Sequence, residues 1–257
     1  MKSILVTGAA SGIGLAAAQR FAAQGWRVGM ADVNMEALRR QASMVEGQVE
    51  TLAMDVTDAG SVERALATFC RDGQSLDVLL NSAGILEMRC FGETPLQRLQ
   101  QIVDVNLMGV IHCIHAALPH LSKTSKMARV ITMGSASGIY GIPEEAVYSA
   151  TKFAVRGLTE ALNIELEGQN VWVCDVMVAY VKTPMIEQAE RVAKSVDLLG
   201  FSALPEEVAE VIWQAANEQR VHWHVGGADV MQTKIETSDE HERRSFISTI
   251  TGFADAA

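Results

Sequence analysis

The chain has 257 residues, of which 49% are apolar and 20% are charged. This is an ordinary globular balance, and a chain of this length can bury one large core, so we expect a single domain over residues 1–257. A formal net charge of −10 without a basic stripe argues against a nucleic-acid partner or an anionic membrane surface.

The cysteine pattern and the absence of a leader indicate the compartment. Cys70, Cys90, Cys113 and Cys174 are scattered without C-x-x-C spacing, as in a protein with reduced thiols. No charged and apolar leader precedes the first strand, and the most apolar helical stretch, 105–118, is too short to span a bilayer. We therefore expect a soluble, cytoplasmic protein with no membrane partner.

Strand-like and helix-like stretches alternate along the chain. The strands are apolar runs such as Val78-Leu79-Leu80, which are typical of a parallel sheet covered on both faces. Strands are predicted near 2–7, 26–32, 49–55, 77–81, 128–134, 171–178 and 221–226. Helices are predicted near 13–24, 34–46, 58–71, 95–121, 146–167 and 204–219. The predicted fold class is α/β, a Rossmann-like doubly wound parallel sheet of about seven strands with helices on both faces.

Two stretches fall outside this alternation. Residues 182–203 have no clear period and predict a loop or a loose helical lid beside the substrate. Residues 232–257 look helical and polar, and their position in the fold is not predicted.

A glycine-rich loop joins the first strand to the first helix. It reads Gly8-Ala9-Ala10-Ser11-Gly12-Ile13-Gly14 and follows Thr7. Glycines between a strand and a helix let backbone N–H groups approach the pyrophosphate of a dinucleotide at the helix N-terminus. A flexible turn is the alternative interpretation, and the flanking strand and helix argue against it.

Tyr148 and Lys152 lie four residues apart at the start of a helical pattern. They therefore share a helix face, with the ammonium within reach of the phenol. A nearby cation lowers the pKa of a phenol, so Tyr148 could exchange a proton with an alcohol. Taken alone, a Tyr and a Lys four residues apart are more often a solvated pair on a helix surface.

Together these motifs resemble the short-chain dehydrogenase/reductase family. The resemblance rests on the glycine loop, Asn81-Ser82-Ala83-Gly84, Asn106, Ser135, Tyr148 and Lys152, with 13 residues from Ser135 to Tyr148, and it spans roughly residues 2–230. It implies that Asn106, Ser135, Tyr148 and Lys152 are the catalytic residues. Asn106 is then expected at a helix irregularity, where it would hold a water linked to Lys152, although a polar residue on a buried helix is also credible.

The expected cofactor is NAD. Asp32 ends a strand 18 residues after Gly14, where in such a fold it would accept hydrogen bonds from the adenosine ribose and repel a 2′-phosphate. A site for NADP would have a basic residue near Ser11 or Val33, and neither position has one. As an alternative, Asp32 could cap the following helix. By resemblance Asp55-Val56 would hold the adenine, unless Asp55 caps the helix near Asp58. The residues expected to contact the cofactor are Gly8, Ser11, Gly12, Ile13, Gly14, Asp32, Val33, Asp55, Val56, Asn81, Ala83, Gly84, Tyr148, Lys152, Val181 and Thr183.

The segment after the sixth strand departs from the family pattern. Val178-Ala179 stands where the family has Pro-Gly, and Thr183 keeps its place. Ala179 lacks the freedom of glycine to adopt positive φ, which puts the local turn and the contacts of Tyr180 in doubt.

Other polar candidates have simpler explanations. His222 and His224 alternate on a strand as two metal ligands would, but no Cys or acid has suitable spacing, so we expect no metal. Glu144 and Glu145 precede a helix, where acids complement the dipole, and we favour that role over a place at the mouth of the substrate pocket.

These features predict an oxidoreductase that interconverts a hydrophobic secondary alcohol and its ketone with NAD. The residues expected around the nicotinamide are chiefly apolar: Ile85 to Met88, Ala136, Ile139, Tyr140, Ile142, Val147, Tyr180, Met185 and Ile186. The alternatives are a 3-ketoacyl-type reductase, an NAD-dependent lyase or epimerase, and a cofactor-binding regulator without turnover. Apolar residues over more than one face of the helices near 95–121 and 146–167 predict a homotetramer, or a dimer, built on these helices.

Overall fold

The computed structural model describes residues 1–121, 123 and 127–254, and it contains one parallel sheet. Its strands are β1 (Ser3–Thr7), β2 (Arg27–Asp32), β3 (Gln48–Ala53), β4 (Val78–Asn81), β5 (Ala128–Met133), β6 (Val171–Val178) and β7 (His222–Val225). Their order across the sheet is β3-β2-β1-β4-β5-β6-β7, and every pairing is parallel. The predicted fold class is confirmed.

Helices connect the strands and cover both faces of the sheet. They are α1 (Gly12–Ala22), α2 (Met35–Ala42), α3 (Ala59–Phe69), α4 (Leu96–Val103), α5 (Gly109–Leu121), α6 (Ala146–Glu165), α7 (Pro184–Glu187), α8 (Lys194–Leu199), α9 (Pro205–Ala215), α10 (Ala228–Thr237) and α11 (Glu240–Ile250). Parallel neighbours need such crossovers, which explains the alternation seen in the sequence.

The strands are apolar throughout because each of their faces meets a helical layer. In β1, Ile4 and Val6 join the core cluster that includes α1, α2 and α9, whereas Leu5 joins the cluster that includes α3, α5 and α6. Alternate residues of a strand point to opposite faces, so a sheet buried on both sides needs apolar residues at every position.

The long apolar stretch before β5 is one interrupted helix of the core. A π-helical turn, Asp104–Met108, separates α4 from α5. Among the described residues, Leu96–Leu121 is long and apolar enough to cross a membrane by length and composition, with a mean hydropathy of 1.5, and it contains the shorter apolar stretch 105–118. Val110, Ile114 and Leu121 pack in the core beside α3, which makes a core helix the better interpretation.

The two stretches left open by the sequence lie beside one another. Residues 182–203 include α7 and α8, so the helical version of the predicted lid is the one observed. The C-terminal stretch forms α10 and α11, whose Ile235 and Ile247 pack with Ile139 and Ile142 from the segment between β5 and α6. Contacts between α8 and α11 join the two stretches.

Candidate active site

A cleft of about 360 Å³ lies at the carboxyl edge of the sheet. The chain turns in opposite directions from β1 and β4, and a crevice opens at such a switch point because the two loops diverge. Loops after β1, β2, β3, β4, β5 and β6 all contribute to its walls. All the residues expected from the sequence to hold the cofactor line the cleft, with the exception of Asn81.

The glycine loop forms the floor of the cleft at the start of α1. Gly8 has φ +67°, and a Cβ there would lie 2.8 Å from the Cα of Ala83. A Cβ on Gly14 would collide with the carbonyl oxygen of Gly8. The side chain of Ser11 does not cap α1, so the N–H groups of the first turn are left for another acceptor. This cradle has the shape and the donors that a pyrophosphate requires.

Asp32 lines the cleft at the end of β2 and also supports the glycine loop. Its Oδ2 accepts a hydrogen bond from the N–H of Ala10 (3.1 Å) and its Oδ1 from that of Asn34 (2.9 Å). The cap of α2 is Asn34, whose side chain accepts from the N–H of Ala37. The capping alternative for Asp32 therefore fails.

The part of the cleft after β3 has a similar arrangement. Asp58 caps α3 by accepting from the N–H of Gly60, so Asp55 is not the cap. Asp55 binds the backbone and hydroxyl of Thr57 and lines the cleft beside Val56. Among the described residues that line the cleft, Lys152 is the one basic side chain, and it lies far from Asp32 in the sequence.

Two asparagines organise the site without lining the cleft. Asn81 donates to the hydroxyl of Thr132 on β5 (3.2 Å), and so it ties β4 to β5. Asn106 lies in the π-helical turn, the helix irregularity that the resemblance implies. It binds both backbone groups of Ile85, accepting from the N–H (2.8 Å) and donating to the C=O (2.9 Å), which fixes the loop after β4.

Ser135, Tyr148 and Lys152 converge on one wall of the cleft. Ser135 follows β5 and begins the short helical turn Ala136–Gly138. This turn packs closely on α6, because a Cβ on Gly138 would lie 3.0 Å from the carbonyl oxygen of Lys152. The close approach brings the Ser135 side chain into a hydrogen bond with Tyr148. The Nζ of Lys152 lies 5.4 Å from the centre of the Tyr148 ring.

The charge relationship between Tyr148 and Lys152 differs from the expectation. Burial raises the pKa of the Tyr148 phenol, the charge of Glu145 raises it further, and the hydrogen bond with Ser135 opposes them. Burial also lowers the pKa of Lys152 to about 8, with Asp175 acting in the opposite direction. The ammonium donates to the carbonyl of Met133 (2.7 Å). The predicted lowering of the phenol pKa was therefore wrong, since loss of water outweighs the lysine.

Glu145 is the site residue that the sequence interpretation misjudged. It occupies the N-cap position of α6, but its side chain makes no capping hydrogen bond and is 2% exposed. It lines the cleft and accepts from the hydroxyls of Tyr180 (2.8 Å) and Ser137 (3.2 Å). Burial raises the pKa of its carboxyl to about 7. The apolar residues around it, Ile142 and Val147, could have suggested a buried acid.

Glu144, the neighbouring acid, points elsewhere. It accepts from the guanidinium of Arg191 (3.3 Å) and from the N–H of Lys194 (3.0 Å), at the start of α8. It does not line the cleft. Glu144 therefore anchors the lid, while Glu145 lies in the site.

The unusual segment after β6 forms its turn without a glycine. Ala179 is not among the described residues with positive φ, so the loss of glycine causes no strain there. Thr183 lines the cleft. A Cβ on Gly12 would lie 3.3 Å from the Cγ2 of Thr183, so the lid packs closely against the glycine loop. Tyr180 and Val181 line the cleft as well.

The histidines on β7 have structural partners. His222 binds the buried carboxylate of Asp175 through Nδ1 (3.0 Å), and His224 binds Gln232 of α10 through Nε2 (2.7 Å). These contacts account for both side chains, as the packing interpretation expects.

The substrate side of the cleft is mainly apolar. Of the residues expected around the nicotinamide, Ile85, Leu86, Ala136, Ile142, Tyr180, Met185 and Ile186 line the cleft, whereas Glu87, Met88, Ile139, Tyr140 and Val147 do not. The C-terminal helices add walls that were not predicted, through Met231, Ile250 and Thr251.

Known proteins match the chain over most of its length. The family model of short chain dehydrogenases matches residues 2–194. A 3-oxoacyl acyl-carrier-protein reductase of Thermotoga maritima is 32% identical over 85% of this chain and 91% of its own. Meso-2,3-butanediol dehydrogenase of Serratia marcescens is 36% identical over 82% of this chain and 85% of its own. A crystal structure of 3-ketoacyl-(acyl-carrier-protein) reductase from Brucella melitensis complexed with NADH is 25% identical, with a TM-score of 0.80 over 88% of this chain and 98% of that one.

Proposed function

This chain belongs to the short-chain dehydrogenase family of oxidoreductases, and we propose that it interconverts a neutral, hydrophobic secondary alcohol and its ketone with NAD. The observation that carries the proposal is the convergence of Ser135, Tyr148 and Lys152 on a cleft whose other half is the glycine cradle. A regulator that binds a cofactor without turnover has no need of this constellation.

In the proposed mechanism each side chain has one task. Ser135 donates a hydrogen bond to the substrate oxygen and orients it. Tyr148 exchanges the proton with that oxygen. Lys152 holds a positive charge in the buried wall beside Tyr148. A bound nicotinamide ring supplies the hydride acceptor or donor. The raised pKa of Tyr148 keeps the phenol protonated near neutral pH, which favours proton donation and therefore ketone reduction.

The preference for NAD over NADP rests on Asp32. Its carboxylate lines the cleft at the end of β2, where a 2′-phosphate would bring a second negative charge close to it. Val33 is exposed and apolar, so it offers that phosphate no cation.

The apolar lining supports a neutral substrate. Ile85, Leu86, Met185, Met231 and Ile250 come from four separate segments and leave mainly hydrocarbon around the reacting carbon. With a net charge of −10, the protein has little attraction for the acidic carrier protein of a ketoacyl reductase.

We also propose a single cytoplasmic domain that assembles as a homotetramer, or as a dimer. Burial of Val110, Ile114 and Val155 still leaves Ile111 36% exposed and Phe153 45% exposed on α5 and α6. A two-fold contact between these helices in two subunits would cover the remaining apolar surface. Free cysteines throughout the described residues are consistent with a reducing compartment.

The test is a substrate panel followed at 340 nm. Purified protein is assayed with NAD and with NADP on cyclic, aromatic and steroid-like secondary alcohols, and with NADH and NADPH on an acetoacetyl thioester. We expect oxidation of an apolar alcohol with NAD. Turnover confined to the thioester with NADPH would contradict the proposal. Tyr148→Phe serves as the control for a contaminating dehydrogenase.

A further inference from the structure

Ser137, Glu145, Tyr180 and Ser195 form a polar corner in the otherwise apolar substrate side of the cleft. Their side chains make one connected set. The hydroxyls of Tyr180 and Ser137 donate to the two oxygens of Glu145, and Ser195 Oγ lies 2.7 Å from the hydroxyl of Tyr180. Because Tyr180 donates its proton to Glu145, Ser195 is the donor in the last contact.

The carboxylate of Glu145 has acceptor capacity left over. An ionised carboxylate offers about four acceptor sites, and each oxygen of Glu145 receives one hydrogen bond. With the side chain 2% exposed, water has little access to the remaining sites. Buried acceptors are normally satisfied, so the cleft is the place from which a further donor would come.

The unused acceptor sites of Glu145 lie close to the reacting centre. The hydroxyl of Ser135, which orients the substrate oxygen, lies 3.2 Å from the hydroxyl of Ser137, and Ser137 donates to Glu145 (3.2 Å). Two contacts of hydrogen-bond length therefore separate Ser135 from the carboxylate of Glu145 and its unused acceptor sites. A substrate oxygen on Ser135 leaves Glu145 within reach of a group on an adjacent carbon or on the next one.

We infer that the polar corner binds a second hydroxyl group of the substrate, so that the preferred substrates are apolar diols and the corresponding hydroxyketones. This inference rests on the proposed function. In the reaction, the C–H bond of one carbinol breaks and its hydride passes to the nicotinamide, while its O–H proton passes to the deprotonated oxygen of Tyr148 and from there to solvent. The second hydroxyl donates to Glu145 and leaves unchanged in the hydroxyketone.

The probes are trans-1,2-cyclohexanediol, cyclohexanol and trans-2-aminocyclohexanol, assayed with NAD at pH 9, where the carboxyl of Glu145 with its pKa of about 7 is ionised. A hydrogen bond to a charged group corresponds to about a tenfold to hundredfold effect. We expect kcat/KM for the diol to exceed that for cyclohexanol by at least about tenfold. Glu145→Gln and Glu145→Leu should remove most of this ratio. The ratio compares the two substrates in the same variant, so a changed Tyr148 pKa affects both of its terms. Glu144→Gln, which changes the neighbouring acid outside the cleft, should keep the ratio.

Other results would overturn the inference. Equal losses on diol and alcohol in both Glu145 variants would mean that Glu145 only positions Ser135. A preference for the amino alcohol would mean that the corner binds an ammonium group. If the protein turns over none of the three probes, their binding to the NADH-saturated protein is measured by calorimetry. Tighter binding of the diol with no turnover would overturn the proposed reaction and support the polar corner, whereas equal binding would overturn the polar corner.

Discussion

Replacing the buried acid Glu145 by Gln should change how stability depends on pH. Burial raises the pKa of this carboxyl from 4.5 to about 7, the hydrogen bonds from Tyr180 and Ser137 oppose the rise, and Glu144 adds to it. The folded protein thus binds the proton more tightly than the unfolded chain. The free energy of unfolding should therefore fall as pH rises from about 4.5 to about 7, because ionisation is penalised only in the folded state. The displacement of the pKa corresponds to about 3 kcal/mol.

Glutamine has the shape of the protonated acid and does not ionise. At pH 5.5, one unit above the unfolded pKa, the variant should already have gained about 1 kcal/mol relative to the parent, and by pH 8.5 the gain should reach about 3 kcal/mol. Urea denaturation at the two pH values, at one protein concentration, measures this difference. Asp175 and His222 titrate in both proteins, so their contributions cancel. A difference between variant and parent that stays constant within about 0.5 kcal/mol would refute the buried, proton-binding state of Glu145.

Three further predictions concern the cofactor, the base and the assembly. Asp32→Ala with Val33→Arg should weaken NAD and admit NADP in steady-state kcat/KM, and a parent protein that already prefers NADP by tenfold (about 1.4 kcal/mol) would contradict the role of Asp32. Tyr148→Phe should abolish turnover while NADH still binds by fluorescence, since the ring keeps its packing and loses only its hydroxyl group. A tenth of the activity remaining would exclude Tyr148 as the acid/base. In the parent, kcat/KM for alcohol oxidation should keep rising from neutral to alkaline pH, because burial raises the phenol pKa and leaves the base protonated. Light scattering at micromolar concentration should show a mass above the 27.8 kDa monomer, and a fully active monomer would remove the oligomer as a requirement.

The sequence alone predicts local structure correctly where a residue pattern is compatible with only one backbone arrangement. A strand buried on both faces must be apolar at every position, so the runs in β1, β4 and β5 could be recognised without knowledge of their neighbours. The glycine loop is a second case, because Gly8 and Gly14 permit backbone approaches that any Cβ would block. The four-residue spacing of Tyr148 and Lys152 likewise implies one helix face.

The sequence alone left open which segments meet across the cleft. Residues 232–257 have no sequence pattern that predicts which segment they pack against, and the packing of α10 and α11 brings Met231 and Ile250 to the cleft. The sequence likewise did not decide whether residues 182–203 form a loop or a helical lid, because they have no clear period. Short helices such as α7 and α8 are marginal on local propensity, and contacts with the rest of the chain decide whether they form.

Burial decided the electrostatics of the site. From the sequence, Lys152 should lower the pKa of Tyr148 and Glu145 should cap a helix, since both expectations count only neighbours along the chain. In the fold the side chains of Tyr148 and Glu145 are buried, and the loss of water raises the pKa of each. Lys152 donates its hydrogen bond to the carbonyl of Met133. Residue types and their spacing determined by themselves that this chain is a short-chain dehydrogenase with Tyr148 and Lys152 on one helix. The charges those residues carry, and the polar corner beside them, depend on desolvation and on contacts between distant segments, which only the tertiary structure establishes.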